Sequence, residues 1–397
     1  MHIAWLGKKF PFCGNVTYGL ETTNALLNRG HRVSFFHFSA EDFADGQSHH
    51  QSLGHSQSET DAPKTDFSEV SLPYIYKSQV YTIPSLRSSR ILKDALRRLK
   101  PDVVHASLAL SPLDFKLPEI CSELDLPLVG TFHPAFDAQR RNLTSNTQQL
   151  TYQIYAPFLA EYDRVIVFSE LQRDLLQRLG VARSRISVIP NGVDANKYSP
   201  GFSSQKAYFR ANRLFVYQGR LSIEKNVEAL LRAWKQSRLG PACKLAIMGN
   251  GPLESMLRAA YGEDLGIVWL GFVADEQRRI DVLRAADVFI LPSLVEGLSL
   301  SLLEAMACQT ACLATDAGAD GEVLARGAGI ILTTQGVTAQ LQTLLPLCRD
   351  QPELTQRLGQ IARQRVLERY TLEQNISQLE VLYSQLRRQR VALSRSH

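Results

Sequence analysis

Short apolar runs alternate along this chain with longer stretches whose apolar positions recur at helical spacing. "HIAWLG" reads as a strand, followed by a loop holding Pro11 and Gly14. "YGLETTNALLNRGH" then places Leu20, Ala25, Leu26 and Leu27 on a helix that Gly30 closes as a C-cap. "RVSFFHF" is the next strand, so the opening predicts a βαβ unit. "DVVHAS", "LPLVGTFH" and "RVIVFS" continue the series. Between Ser39 and Glu69 the pattern gives way to Ser, His, Gln, Asp and Gly, the composition of a polar loop. His49, His50 and His55 in it read as solvated side chains, because no fixed scaffold there supports a ligand set.

"VIPNGVDANKYSPGFSS" breaks the periodicity with Pro190, Asn191, Gly192, Pro200 and Gly201, and reads as an interdomain linker. A second series follows, with "RLFVYQGR", "CKLAIMGNG", "GIVWLGFV", "DVFILPS", "TACLAT" and "GAGIIL" as strands. Two such series predict an α/β protein of two facing, doubly wound Rossmann-like domains, residues 1–195 and 205–371. Ligands in that architecture bind at the carboxyl ends of the strands, in the cleft between domains. A final amphipathic helix, Leu372 to Arg388, carries Ile376, Leu379, Leu382, Tyr383 and Leu386 on one face.

A length of 397 residues agrees with two domains. A hydrophobic content of 45% and a charged content of 21% describe a globular protein with ample core. The net charge of +5 is too mild an average to name a partner. The six cysteines are scattered without a CxxC pair. Cys308 and Cys312, four apart beside Leu and Ala, read as small core residues, and the set predicts a reducing, cytoplasmic compartment. "MHIAWLGKKFPF" lacks the features of a signal peptide, and no stretch approaches the ~18 apolar residues of a membrane span. Any membrane contact is therefore expected to be peripheral.

In "PSLVEGLSLSLLEAMA", Glu296 and Glu304 are the only charged residues of an otherwise apolar and small-residue stretch. A carboxylate in such surroundings is costly unless something hydrogen-bonds it. "DVFILPS" predicts a buried parallel strand, which puts Glu296 on the loop at its carboxyl end. Ser299 caps the next helix, and Glu304 lies about one and a half turns into it. A strand end followed by a helix N-terminus favours an anion, and two carboxylates suit a hydroxyl-rich ligand. A sugar, a diphosphate and a ribose in a row would need all of this. Taken alone, the pair reads equally well as a capping or core-edge pair of glutamates. "YQGRLSIEKNVEALLRAW" adds Gly219 and Arg220 at a strand end and Lys225 just before a helix, the chemistry of a phosphate site. In "IMGNGPL", Gly249 and Gly251 permit close backbone approach, a weak signal by itself.

These ordered motifs, with the loop at Gly14, "TFH" at His133 and "VIPNGVD" ending at Asp194, resemble the retaining glycosyltransferases of family 4, which have the GT-B fold. The resemblance implies that Glu296 binds donor-sugar hydroxyls and Glu304 the ribose hydroxyls. Arg220 and Lys225 would neutralise the diphosphate, and His133 would contact the donor sugar from the N-terminal domain. Gly14, Asn15, Gly219, Gly249, Gly251, Gly297, Leu298 and Ser299 complete the implied donor set. The final helix, taken to residue 397, would pack back on the N-terminal domain. No cofactor or divalent metal is expected beyond the UDP-sugar itself, and no DxD motif stands at a strand end. The chain departs from the family pattern at Gly297-Leu298-Ser299, at Gln309 and Thr310, and at Cys13-Gly14-Asn15. Donor-sugar preference is what these differences bear on.

The acceptor should be chosen by the N-terminal domain. "LRSSRILKDALRRLK", Leu86 to Lys100, carries Arg87, Arg90, Lys93, Arg97, Arg98 and Lys100 against one acid, Asp94. Its residues Ile91, Leu92, Ala95, Leu96 and Leu99 share a face, so the helix suits either an anionic membrane surface or plain solvent. Arg140, Arg141 and the tail "RRQRVALSRSH" add positive charge. "MHIAWLGKKFPFCGNVTYGLE" and "GTFHPAFDAQRRN" are most similar, within the family, to cyanobacterial-type digalactosyldiacylglycerol synthases. That resemblance implies transfer of galactose from UDP-galactose to monogalactosyldiacylglycerol, by an enzyme peripheral on a thylakoid or plasma membrane. The alternatives are a family 4 enzyme with a soluble or polysaccharide acceptor, a GT-B-fold sugar-nucleotide epimerase, and a silent nucleotide-sugar sensor. No nucleic-acid reading motif accompanies the basic surface.

Overall fold

A computed structural model describes residues 1–10, 13–39, 66–78, 81–108, 110–137 and 143–394. His49, His50, His55, Arg140, Arg141 and the last three residues of the tail lie outside the described residues. Two compact units make up the chain. The first comprises Met1–His133, Glu161–Ile166 and Glu380–His397, the second Pro134–Ala160 and Val167–Leu379. The sequence boundaries at 195 and 205 both fall inside the second unit.

In the first unit the sheet is built from β1 (His2–Leu6), β2 (Arg32–Ser39), β3 (Phe67–Lys77), β4 (Thr82–Pro84), β5 (Val103–Ser107), β6 (Leu128–Thr131) and β7 (Arg164–Val167). These strands lie in the order β4-β3-β2-β1-β5-β6-β7. β1 is parallel to β2 on one side and to β5 on the other, and all five of its residues are buried. A helix of Gly14–Asn28 connects β1 and β2, with Gly30 at φ +76 just beyond its end.

β3 begins at Phe67, inside the stretch read as a polar loop, and β4 pairs with it antiparallel. The strand was hidden because six of its eleven residues are exposed and Pro73 interrupts it, so no apolar run marks it. The basic helix spans Ser88–Leu99 and buries Leu92, Ala95 and Leu96, while Arg90, Arg97 and Arg98 point to solvent.

The second unit contains a short β8 (Ile186–Val188) and a six-stranded sheet. That sheet consists of β9 (Arg213–Gln218), β10 (Cys243–Met248), β11 (Ile267–Gly271), β12 (Val288–Leu291), β13 (Ala311–Thr315) and β14 (Ile330–Leu332). Its order is β11-β10-β9-β12-β13-β14 and every pairing is parallel. The step from β11 in sequence to β12 on the far side of β9 reverses the winding, which puts the topological switch point beside β9 and β12.

The stretch read as a linker is held against the chain before the last helix. Val193 and Leu372 bond through backbone groups at 2.9 Å, and a Cβ on Gly192 would meet the Leu372 Cα at 2.6 Å. The last helix runs Leu372–Ser394. Within the first unit its Tyr383 hydroxyl lies 2.5 Å from His105 Nδ1, and its Glu380 pairs with Arg29 and His31. Five of the six cysteines are buried, Cys13 being half-exposed, and burial pushes the Cys308 thiol up to about 12.

Candidate active site

β12 is buried throughout and delivers the chain to Pro292, where the loop carrying Glu296 begins at the carboxyl edge of the sheet. From the neighbouring β9 the chain passes Gly219 and Arg220, makes one 3-10 turn at Ile223–Lys225, and enters the helix Val227–Ser237. These two loops meet. Lys225 Nζ donates to Glu296 Oε1 at 2.5 Å, and Ser293 Oγ donates to the same oxygen at 2.8 Å. The Leu294 N–H donates to the Glu224 carbonyl at 2.8 Å, and Asn226 Nδ2 to the Pro292 carbonyl at 3.2 Å. Glu296 is 6% exposed, so these donors supply what solvent would otherwise give its carboxylate. Burial alone would lower the Lys225 ammonium, but the Glu296 charge and hydrogen bond outweigh it and hold the pKa above its ordinary value.

Glu304 sits on the helix Leu300–Ala307, which Ser299 caps by accepting from the Leu302 N–H at 3.4 Å. Its Oε2 accepts from Gln218 Nε2, the last residue of β9, at 2.7 Å. The Gly297-Leu298-Ser299 backbone is secured on several sides. The Gly297 carbonyl accepts from the Ala319 N–H at 2.8 Å, and the Leu298 carbonyl from Asn191 Nδ2 at 3.1 Å. The Ser299 N–H donates to Asp320 Oδ1 at 3.0 Å. Gly318, at φ +58, lets the following loop approach so closely that a Cβ there would fall 2.0 Å from the Glu296 carbonyl oxygen.

Gly249 and Gly251 are explained by packing. At φ +134 a Cβ on Gly249 would lie 1.9 Å from the Gly219 carbonyl oxygen, and one on Gly251 would lie 2.3 Å from that of Leu221. The Gly219 N–H bonds to the Met248 carbonyl and the Leu221 N–H to that of Asn250, each at 2.9 Å. The two glycine-bearing loops are thus pressed together backbone to backbone. Arg220 is exposed and forms no ion pair among the described residues, while its carbonyl accepts from the Tyr217 hydroxyl at 2.8 Å. Its guanidinium is therefore available to an anion.

The first unit brings together Asn15, Ser107 and His133. Ser107 Oγ donates to Asn15 Oδ1 at 2.6 Å and lies 2.9 Å from His133 Nε2. With the single hydroxyl proton committed to Asn15, His133 Nε2 must donate to Ser107. Burial, and then the Lys8 charge, hold the His133 imidazole near a pKa of about 3, so it is neutral at physiological pH. The Tyr18 ring meets His133 edge-on, with centroids 4.9 Å apart. A Cβ on Gly14 would meet nothing within 4 Å, so packing does not require glycine there.

Sequence reasoning passed over Ser107, Gln218, Ser293 and Asp320. Ser107, Gln218 and Asp320 are ordinary polar residues whose partners are distant in sequence, and Ser293 bonds to Glu296 three residues on. Among the described residues no cluster of three His, Cys, Asp or Glu side chains could hold a metal ion, and no helix is long and apolar enough to cross a membrane.

Comparison with known proteins matches residues 14–197 to the family model Glycosyltransferase Family 4, and residues 203–365 to Glycosyl transferases group 1. A galactosyltransferase of Escherichia coli that acts on α-D-GlcNAc-diphosphoundecaprenol is 29% identical, over 64% of this chain and 69% of its own. Glycogen synthase of Mycobacterium tuberculosis is 28% identical over 68% of this chain and 65% of its own. The sulfoquinovosyl transferase SQD2 of Arabidopsis thaliana is 26% identical over 60% of this chain, which spans only 47% of that relative. Among solved structures, HepE of Anabaena, crystallised with UDP, matches 97% of this chain and all of its own at a TM-score of 0.73 and 18% identity. Sucrose-phosphate synthase of Thermosynechococcus elongatus matches 97% of this chain and 98% of its own at 0.74 and 19%. The two family models meet near residue 200 and between them cover most of the chain, and the chain belongs to the family 4 type of GT-B glycosyltransferases.

Proposed function

We propose that this protein transfers a hexose, with retention of anomeric configuration, from a UDP-sugar to a glycolipid. The observation that carries the donor half is the Lys225–Glu296 pair at the switch point, with Arg220 free beside it and Glu304 one helix away. Lys225, Arg220 and the N-terminus of the helix Val227–Ser237 answer the diphosphate. Glu296 and Glu304 accept hydrogen bonds from sugar and ribose hydroxyls. As the anomeric C–O bond breaks, the electron pair leaves with the phosphate oxygen. The acceptor hydroxyl then attacks on the same face and passes its proton to that phosphate. The reading includes no metal step. HepE in complex with UDP supports the choice of nucleotide.

For the acceptor half, the support is a surface of the first unit. Ile75 and Leu86 are 70% and 98% exposed, and Tyr76, Tyr81 and Ile83 are exposed with them. Tyr76 pairs with Ile83 across the β3–β4 hairpin, and the Tyr76 and Tyr81 rings lie 5.5 Å apart. Leu86 leads straight into the basic helix with its exposed Arg90, Arg97 and Arg98. Apolar and aromatic tips beside positive charge suit the surface of an anionic bilayer. The E. coli and Arabidopsis relatives, whose names describe a lipid-linked acceptor and a sulfoquinovosyl transfer, point the same way. Galactose and monogalactosyldiacylglycerol are the specific donor sugar and acceptor within this reading.

The test incubates the protein with UDP-galactose or UDP-glucose, with and without monogalactosyldiacylglycerol vesicles, and resolves the lipids by chromatography. A digalactosyl lipid formed from UDP-galactose is expected. UDP release without any lipid product would overturn the acceptor and direct the search to soluble sugars.

A further inference from the structure

Ser293 follows Pro292 at the carboxyl end of β12 and has no exposed surface. Its hydroxyl donates to Glu296 Oε1 at 2.8 Å, the same oxygen that takes Lys225 Nζ at 2.5 Å. A carboxylate oxygen can only accept, so the direction of the serine bond is fixed. Glu296 Oε2, by contrast, accepts from no described residue and keeps surface open to solvent. One carboxylate oxygen is held from two sides, and the other is left for a ligand.

The two donors on Oε1 differ in kind. Lys225 is a charged group on a long side chain, 23% exposed, and it is also the group proposed to answer the diphosphate. Whatever part of its hydrogen bonding goes to phosphate loosens its hold on Glu296. Ser293 Oγ makes no other hydrogen bond among the described residues. It is neutral, and its backbone is anchored on the sheet. The Ser293 carbonyl accepts from Oγ1 of Thr315, the last residue of β13, at 2.6 Å. The Pro292 carbonyl just before it accepts from Asn226 Nδ2 at 3.2 Å. The serine hydroxyl is therefore a fixed donor at the rigid end of a strand, the kind of support that holds a binding group in its working geometry.

We propose that Ser293 is a positioning residue of the donor site, which locks Glu296 Oε1 so that Oε2 is presented to a hydroxyl of the donor hexose. The proposal rests on the donor-site reading given above. It places the effect of Ser293 on the hexose, through Glu296, and none of it on the nucleotide.

Titration calorimetry with UDP, UDP-glucose and UDP-galactose tests it on the wild type, Ser293→Ala, Glu296→Ala and the double variant. Ser293→Ala is expected to bind UDP as the wild type does. The affinity gained by adding the hexose should fall roughly tenfold in Ser293→Ala, the worth of one hydrogen bond to a charged group. In the Glu296→Ala background the same serine change should have no further effect, because a double-mutant cycle isolates what passes between two residues. An unchanged hexose increment in Ser293→Ala, or the same loss in both backgrounds, overturns the proposal while leaving the donor site standing. An equal loss with UDP alone also overturns it, since a disturbed loop would then be the cause. Wild type that fails to bind UDP, or a Glu296→Ala variant that keeps the full hexose increment, sinks the donor-site reading and this proposal with it. If Ser293→Ala does not fold, Ser293→Cys keeps the shape with a much weaker donor and gives the same readout.

Discussion

His105 shows how one side chain carries both packing and a charge state. It lies on β5 with no exposed surface, stacks on Trp5 at 4.0 Å, and bonds to Thr131 Oγ1 at 2.7 Å and to the Tyr383 hydroxyl. Burial, and then the neighbouring His133, hold its pKa at about 3. An unfolded histidine takes its proton near 6.5, so between those values the unfolded chain binds more protons than the folded one. Stability should therefore be complete above about pH 6.5 and fall as pH drops toward 3, by up to about 1.4 kcal/mol per pH unit for each such group. Urea midpoints at pH 7.5 and pH 5 check this, and His105→Gln should flatten the dependence; an equal slope in that variant would contradict the assignment. In the candidate site, Glu296 and Lys225 were legible because charged residues in apolar or glycine-bearing loops demand a reason. Asp320 was not, since its meaning depends on Ser299 twenty-one residues earlier and on Lys225 ninety-five residues earlier, and nothing local marks it.

Elements were legible where burial on both faces writes an unbroken apolar run. That covers β1, β5, β9, β10, β12 and β13, and with them the strand ends where the candidate site lies. β3 escaped because it is half exposed and holds Pro73, and β4 because three residues carry no periodicity. The glycines of "GNGPL" gave a weak signal on their own, and the structure gives them a definite one: they let two loops touch through their backbones. Gly249→Ala combines a positive φ with a backbone clash. It should cost about 3 kcal/mol of stability, at the upper end of what backbone strain produces, and displace Gly219 and Arg220 enough to weaken UDP binding. Thermal melts with UDP titration check both effects; a variant with wild-type stability and affinity would mean that the loops are not packed in this way.

At the scale of the whole molecule, two strand–helix series gave the fold class from sequence alone, and the resemblance supplied a family that the comparisons uphold. The acceptor lies beyond that inference. Relatives of this family are named for galactosyl transfer to a diphosphoundecaprenol-linked sugar, for glycogen synthesis and for sulfoquinovosyl transfer, so family membership does not choose among acceptors, and a basic helix fits solvent as readily as a bilayer. The proposed donor site assigns the stabilisation of a departing diphosphate to Arg220 and Lys225. The most direct test is the rate of UDP release from UDP-galactose over monogalactosyldiacylglycerol vesicles, for the wild type, Arg220→Ala and Lys225→Ala. Electrostatic stabilisation of the leaving group predicts a fall in kcat of roughly a hundred- to a thousandfold in each variant, with the fold intact by circular dichroism. Near-wild-type rates in both variants would contradict the account.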